Sequence, residues 1–76
     1  METIRFQLQD ESIRLCDLLK LAGIAGSGGE GKHLVAEGLV TVDGLPESRK
    51  TARIRVGQTV ACRGAKIVVL AKSARE

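Results

Sequence analysis

The chain has 76 residues, of which 43% are hydrophobic and 28% charged. A chain this short buries only about 60% of the surface it exposes when unfolded, so it holds one small core, and its apolar content sets it apart from disordered tails. Its 12 lysines and arginines outweigh nine acids for a net charge of +3, and no run approaches the ~20 apolar residues that a membrane helix requires.

In chain order, Ile4, Phe6 and Leu8 alternate with Arg5 and Gln7, the period of a half-buried strand. Phe6, the single aromatic, is assigned to the core. Ser12 offers an N-cap. Leu15, Leu18, Leu19 and Ala22 then recur at helical spacing, which predicts a helix over Ile13–Ala22 stopped by Gly23 in the left-handed conformation. The stretch Ala25-Gly26-Ser27-Gly28-Gly29-Glu30-Gly31 leads into a second, short helix over Gly29–Glu37, capped by Ser27 and ended by Gly38. Beyond Gly38 the pattern turns to strands. Leu39–Val42 is the first, Asp43-Gly44 a turn, and Pro46 delays the return strand behind a loop. Arg53–Val56, Thr59–Cys62 and Ile67–Leu70 follow, separated by Gly57-Gln58 and by Arg63–Lys66. The expected fold class is α+β in the order β-α-α-β-β-β, two helices packed beside a small, mostly antiparallel sheet. It spans residues 1–76 as one domain, with a core over about 4–70 and a frayed end over 71–76.

Charge is unevenly placed. Met1–Glu47 carries four basic residues against eight acids, a net of −4, whereas Ser48–Glu76 carries eight basic residues against Glu76, a net of +7. Clustered positive charge gains free energy by displacing counterions from phosphates, so the basic half points to a polyanionic partner; the alternative is a merely solvated strand face. Cys16 and Cys62 lie far apart in apolar contexts with only His33 to join them, which disfavours zinc and reads as reduced packing thiols rather than a disulfide. The start Met1-Glu2-Thr3-Ile4-Arg5 lacks the basic-then-apolar order of a signal peptide, so the cytoplasm is the expected compartment.

Two motifs in the glycine loop are misleading. Gly26–Gly31 fits G-x-G-x-x-G, and with Lys32 it fits the start of a P-loop. A P-loop needs Ser or Thr after the lysine to ligate magnesium and a buried strand before the loop, but His33 follows and a helix precedes. No βαβ unit can be built around the dinucleotide match either. No nucleotide or other cofactor is therefore expected, although amides at a helix N-terminus can hold one phosphate of a larger ligand. Asp43 is better explained as a turn residue and Glu47 as a loop charge than as a catalytic pair, and His33 has no identifiable nucleophile or carboxylate partner. The chain is not expected to be an enzyme.

These residues resemble the S-four RNA-binding family. Leu15-Cys16-Asp17-Leu18-Leu19-Lys20-Leu21-Ala22-Gly23 matches its leucine-rich helix and glycine, and Ser27, Lys32, Leu34, Val35, Gly38, Val40, Val42 and Gly44 fall in register, without gaps, with the pattern that follows. Asp43 replaces the usual Asn and keeps the turn, Gly31 replaces an Ala where helices pack closely, and Gly28 stands where many members carry Arg. Glu47-Ser48-Arg49-Lys50, the Val56–Val60 corner and Ser-Gly-Gly-Glu-Gly-Lys in place of Ser-Arg are similar to the short bacterial stand-alone subgroup, the YbcJ type. The likeness covers about Leu15 to Val60.

The resemblance implies the alpha-L fold, with the second helix and the following hairpin loop forming one face against structured RNA, ribosomal or transfer. The residues expected to carry binding are Lys32, Arg49, Lys50 and Arg53, with Ser27, Lys20 and Arg55 beside them. Lys20 is either part of that flank or a solvated charge paired with Asp17. Arg55, Arg63 and Lys66 either extend the patch or solubilise an edge strand, and Lys72 and Arg75 are left outside it. With one aromatic there is no platform for stacking unpaired bases, so backbone and shape are what such a face would recognise. A monomer is expected. The competing expectations are a protein-interaction module and a factor associated with stalled ribosomes.

Overall fold

Ile4, Phe6 and Leu8 turn one side of the first strand, β1 (Glu2–Leu8), toward the core in the computed structural model, which describes residues 2–49 and 51–71. Leu8 is buried and Phe6 is half-buried at the margin of the core. β1 runs parallel to the last strand, β7 (Ala65–Ala71), from Glu2 opposite Ala65 to Leu8 opposite Ala71. A parallel pair needs a long crossover, and the whole of the chain between the two strands supplies it. Every other pair in the sheet is antiparallel: β6 (Thr59–Cys62) with β7 and with β3 (Val40–Val42), and β3 with β4 (Leu45–Pro46). The five-stranded order is β1-β7-β6-β3-β4.

The first helix, α1 (Leu15–Leu21), is shorter than its apolar spacing predicts, and Ser12 does not cap it. Ile13 and Arg14 instead form β2, which pairs antiparallel with β5 (Arg53–Ile54) in a separate two-stranded ladder. The residue at the cap position is Arg14, whose side chain makes no capping bond, while the Leu15 N–H finds the Ala52 carbonyl at 2.9 Å. Ile13 can be covered equally well by a helix or by a strand, and only the distant Ile54 decides which. At the other end Gly23, at φ +85°, takes the left-handed turn expected of it.

The second helix, α2 (Gly28–Ala36), begins one residue earlier than predicted, and Ser27 does cap it: its Oγ accepts from the Glu30 N–H at 3.1 Å. The return strand β4 follows Asp43-Gly44 directly rather than after a loop, since both turn residues have positive φ (53° and 84°) and close a two-residue hairpin. Pro46 is tolerated because β4 is a sheet edge and the inward bond is made by its neighbour, the Glu47 N–H donating to the Val40 carbonyl at 3.0 Å. β5 stops at Ile54 because the Arg55 N–H turns back to Gln58 Oε1 at 2.7 Å. The turn between β6 and β7 is only Arg63-Gly64, so β7 starts at Ala65.

Leu15, Leu18 and Leu19 of α1 and Leu34 and Val35 of α2 pack on Val40, Val60, Ile67 and Val69, with Ile54 closing the end by the small ladder. Cys16 and Cys62 are buried and free, and burial pushes the Cys62 thiol above its ordinary pKa. The two helices meet backbone to backbone. A Cβ at Gly31, which is buried in α2, would stand 2.7 Å from the Cys16 carbonyl oxygen. The family's small residue at this position is thus reduced here to its limit.

Candidate nucleic-acid interface

The contact at Gly31 ties α2, the helix that carries Lys32, to α1. It seats the first half of α2 on the start of α1, and the next residue back, Leu15, is bonded to Ala52 of the segment that carries Arg49 and Arg53. Lys32 follows Gly31 and is exposed, and its helix is linked to that segment through these two contacts with α1. The hairpin turn Asp43-Gly44 is also exposed and is held to the sheet by Asp43 Oδ1, which accepts from the Thr59 N–H at 2.9 Å.

The predicted site residues do not all stand alike. Arg53 is exposed on β5 and, among the described residues, has no carboxylate within 4.0 Å. Arg49 is exposed but tied to Glu47, whose Oε2 accepts from the Arg49 N–H at 2.9 Å and lies 3.3 Å from its Nε. These bonds, the Arg49 N–H first, hold Glu47 below the ordinary carboxylate range, so it stays charged beside Arg49. Lys20 is exposed and Asp17 is not its partner: Asp17 Oδ2 lies 3.0 Å from Nε of Arg14. Arg55 is exposed at the turn after β5. Lys50, Lys72 and Arg75 lie outside the described residues. His33, for which no carboxylate was identifiable in the sequence, has Glu37 one helical turn on at 4.0 Å.

The glycine loop already holds an anion of its own. Glu30 reaches back to accept from the Gly26 N–H at 2.6 Å, and its other oxygen meets Arg63 Nη1 at 3.2 Å. Arg63 is thereby turned to the start of α2 rather than simply solubilising a strand. With the Glu30 N–H given to Ser27 and the Gly31 N–H to the Ser27 carbonyl, only part of the amide cradle is left for a phosphate. The Gly26 amide first, and Arg63 after it, hold Glu30 below its ordinary value of 4.5. A group whose pKa is depressed in the folded state stabilises the fold above its unfolded value and loses that contribution as pH falls through the folded one. The thermal midpoint should therefore be level from pH 7 to 5 and fall below about 4.5, and Glu30→Gln should fall less steeply than the parent. Identical acid limbs for the two proteins would show that the Gly26 and Arg63 contacts contribute nothing.

Among the described residues, no three His, Cys, Asp or Glu side chains gather where a metal could be held, and no helix is long and apolar enough to cross a membrane.

Comparison with known proteins identifies the fold. A protein of Escherichia coli (strain K12) named "Putative RNA-binding protein YbcJ" is 49% identical over 59 residues, covering 78% of this chain and 84% of that protein. A YbcJ protein of Shigella flexneri has the same identity and coverage. The solution structure of the Escherichia coli YbcJ, described as having an alpha-L motif involved in RNA binding, superposes with a TM-score of 0.71 at 42% identity, over 92% of this chain and 90% of that one. The 30S ribosomal protein S4e of Thermoplasma acidophilum gives 0.57 at 26% identity, over 76% of this chain but only 31% of its own. The family model for the S4 domain matches residues 6–70, a wider span than the motifs from Leu15 to Val60. The two helices, the hairpin after them and the mixed sheet are those of that fold, and the chain belongs to the S4-domain family.

Proposed function

We propose that the chain binds structured RNA, ribosomal or transfer, through the basic face formed by α2 and the segment that follows the Asp43-Gly44 hairpin. It acts by binding alone, in the cytoplasm and as a monomer. The observation that supports this reading is the run of contacts from Gly31 against Cys16 to the Leu15 N–H bonded to the Ala52 carbonyl, which links the helix of Lys32 through α1 to the segment of Arg49 and Arg53. In this reading two stretches of chain, one on each side of the hairpin, supply one positive surface. The similarity to the Escherichia coli YbcJ, a protein described as RNA-binding, also supports it.

Lys32, Arg49, Lys50 and Arg53 neutralise backbone phosphates in this reading, while Lys20 and Arg55 flank them and Ser27 fixes the start of the helix that presents Lys32. Arg is suited to two-pronged contacts with phosphate oxygens and Lys to a point charge. Backbone contacts of this kind orient the protein on a folded RNA without reading its bases. Crosslinking the protein to RNA in cells and sequencing the attached fragments tests the proposal. Enrichment of ribosomal or transfer RNA is expected, and recovery no greater than that of a Lys32→Glu, Arg53→Glu variant would turn the case toward a protein-interaction module.

A further inference from the structure

We infer that Arg14 and Arg53 together grip a single backbone phosphate, which adds to the RNA-binding face proposed above a residue that its sequence pattern does not point to. In the small ladder Ile13 stands opposite Ile54 and Arg14 opposite Arg53. Ile54 is buried and Ile13 packs on the core, so alternation puts both arginines on the outer side. Residues directly opposite have Cβ atoms roughly 4.5–5.5 Å apart, and like charges in that position work against the pairing.

Of these two guanidinium groups only that of Arg14 has a carboxylate partner among the described residues. Asp17, in the first turn of α1, takes Nε of Arg14 at 3.0 Å, and Arg53 has no carboxylate within 4.0 Å among the described residues. Asp17 thus fixes the direction of Arg14 while leaving its two terminal nitrogens to donate. A phosphate diester has one negative charge and two free oxygens, so it can accept from both forks and remove the repulsion between them. The ladder adjoins the start of α1, where Leu15 is bonded to Ala52 and Cys16 meets Gly31, so it is linked through α1 to the helix that carries Lys32.

Binding of a hairpin RNA to Arg14→Gln, Arg53→Gln and the double variant tests the inference, with Lys32→Glu as the comparison. Each single change should weaken binding about five- to tenfold and flatten the salt dependence by about one released ion, and the double should be little worse because both arginines serve one phosphate. Arg14→Lys, which keeps the charge and loses the fork, should recover the salt slope but not the affinity. Arg53→Gln should hold or raise the thermal midpoint, since it relieves a like-charge pair. If both single variants bind the hairpin as the parent does while Lys32→Glu fails, the two-arginine grip is wrong and the RNA-binding face stands on Lys32 and its other basic residues, without Arg53. Inorganic polyphosphate separates the opposite case. Polyphosphate binding that depends on Arg14 and Arg53, in a protein that ignores hairpin RNA, would keep the grip and overturn the proposed function. A parent that binds neither overturns both.

Discussion

Gly31→Val should lower the thermal midpoint by about 10–20 °C, the largest effect of any single change to a glycine in α2. An added Cβ would lie 2.7 Å from the Cys16 carbonyl oxygen and 3.4 Å from two further backbone atoms of Cys16, none of which is the free end of a side chain. Relief requires the helices to part, and overpacking of this kind costs typically about 1–3 kcal/mol. A domain of this length is expected to have only about 4–11 kcal/mol in all, at 0.05–0.15 kcal/mol per residue, and each kcal/mol moves its midpoint by roughly 4–8 °C. Gly29→Ala is the matched control. Its Cβ would meet only Ser27 Oγ at 3.8 Å, an ordinary contact, so the helix-propensity gain of up to ~1 kcal/mol should show as an unchanged or raised midpoint. Equal behaviour of the two variants in thermal melts would mean that the helices are not in the close contact described.

Reversing two charges, Lys32→Glu with Arg53→Glu, should weaken RNA binding about 100-fold near 0.15 M salt and leave the fold intact. Each phosphate contact gains about 1 kcal/mol from ion release at that salt, and reversal adds repulsion to the loss, so roughly tenfold per site follows. Both residues are exposed, and surface changes usually alter stability by less than ~0.5 kcal/mol. Reversal at Arg49 is a less clean probe, because it sets a new carboxylate beside Glu47. Reversal of Lys72 or Arg75 should matter far less. Fluorescence anisotropy with a labelled hairpin RNA, alongside a melt of each variant, reads both quantities.

Local signals carried far in this sequence. Ser27, Gly23 and Asp43-Gly44 each fix a helix end or a turn through their own backbone and side-chain chemistry, and all appear where the sequence places them. The alternation of Ile4, Phe6 and Leu8 identified a strand in the same way. What the sequence hid depends on partners far along the chain. Ile13 fits a helix face by spacing, yet Ile54 draws it into a ladder; with it Arg14 ceases to be a helix charge and comes opposite Arg53. For Arg63 the sequence leaves open an extension of the patch or a charge that solubilises an edge strand, and its bond to Glu30 cannot be seen without knowing that the β6–β7 turn lies beside the start of α2. Helical spacing offers Lys20 as one partner for Asp17, but Arg14, just outside the helix, reaches it instead. The parallel placement of β1 beside β7 is likewise a property of the whole fold, not of either strand.

The most direct test of the basic face is the salt dependence of hairpin RNA binding by the unaltered protein. About four phosphate contacts releasing ~0.7 to 0.9 ions each predict that log affinity falls against log salt with a slope of roughly −3 to −4. A slope near zero, or affinity unchanged between 50 and 200 mM salt (about the range over which such contacts are lost), would contradict the account.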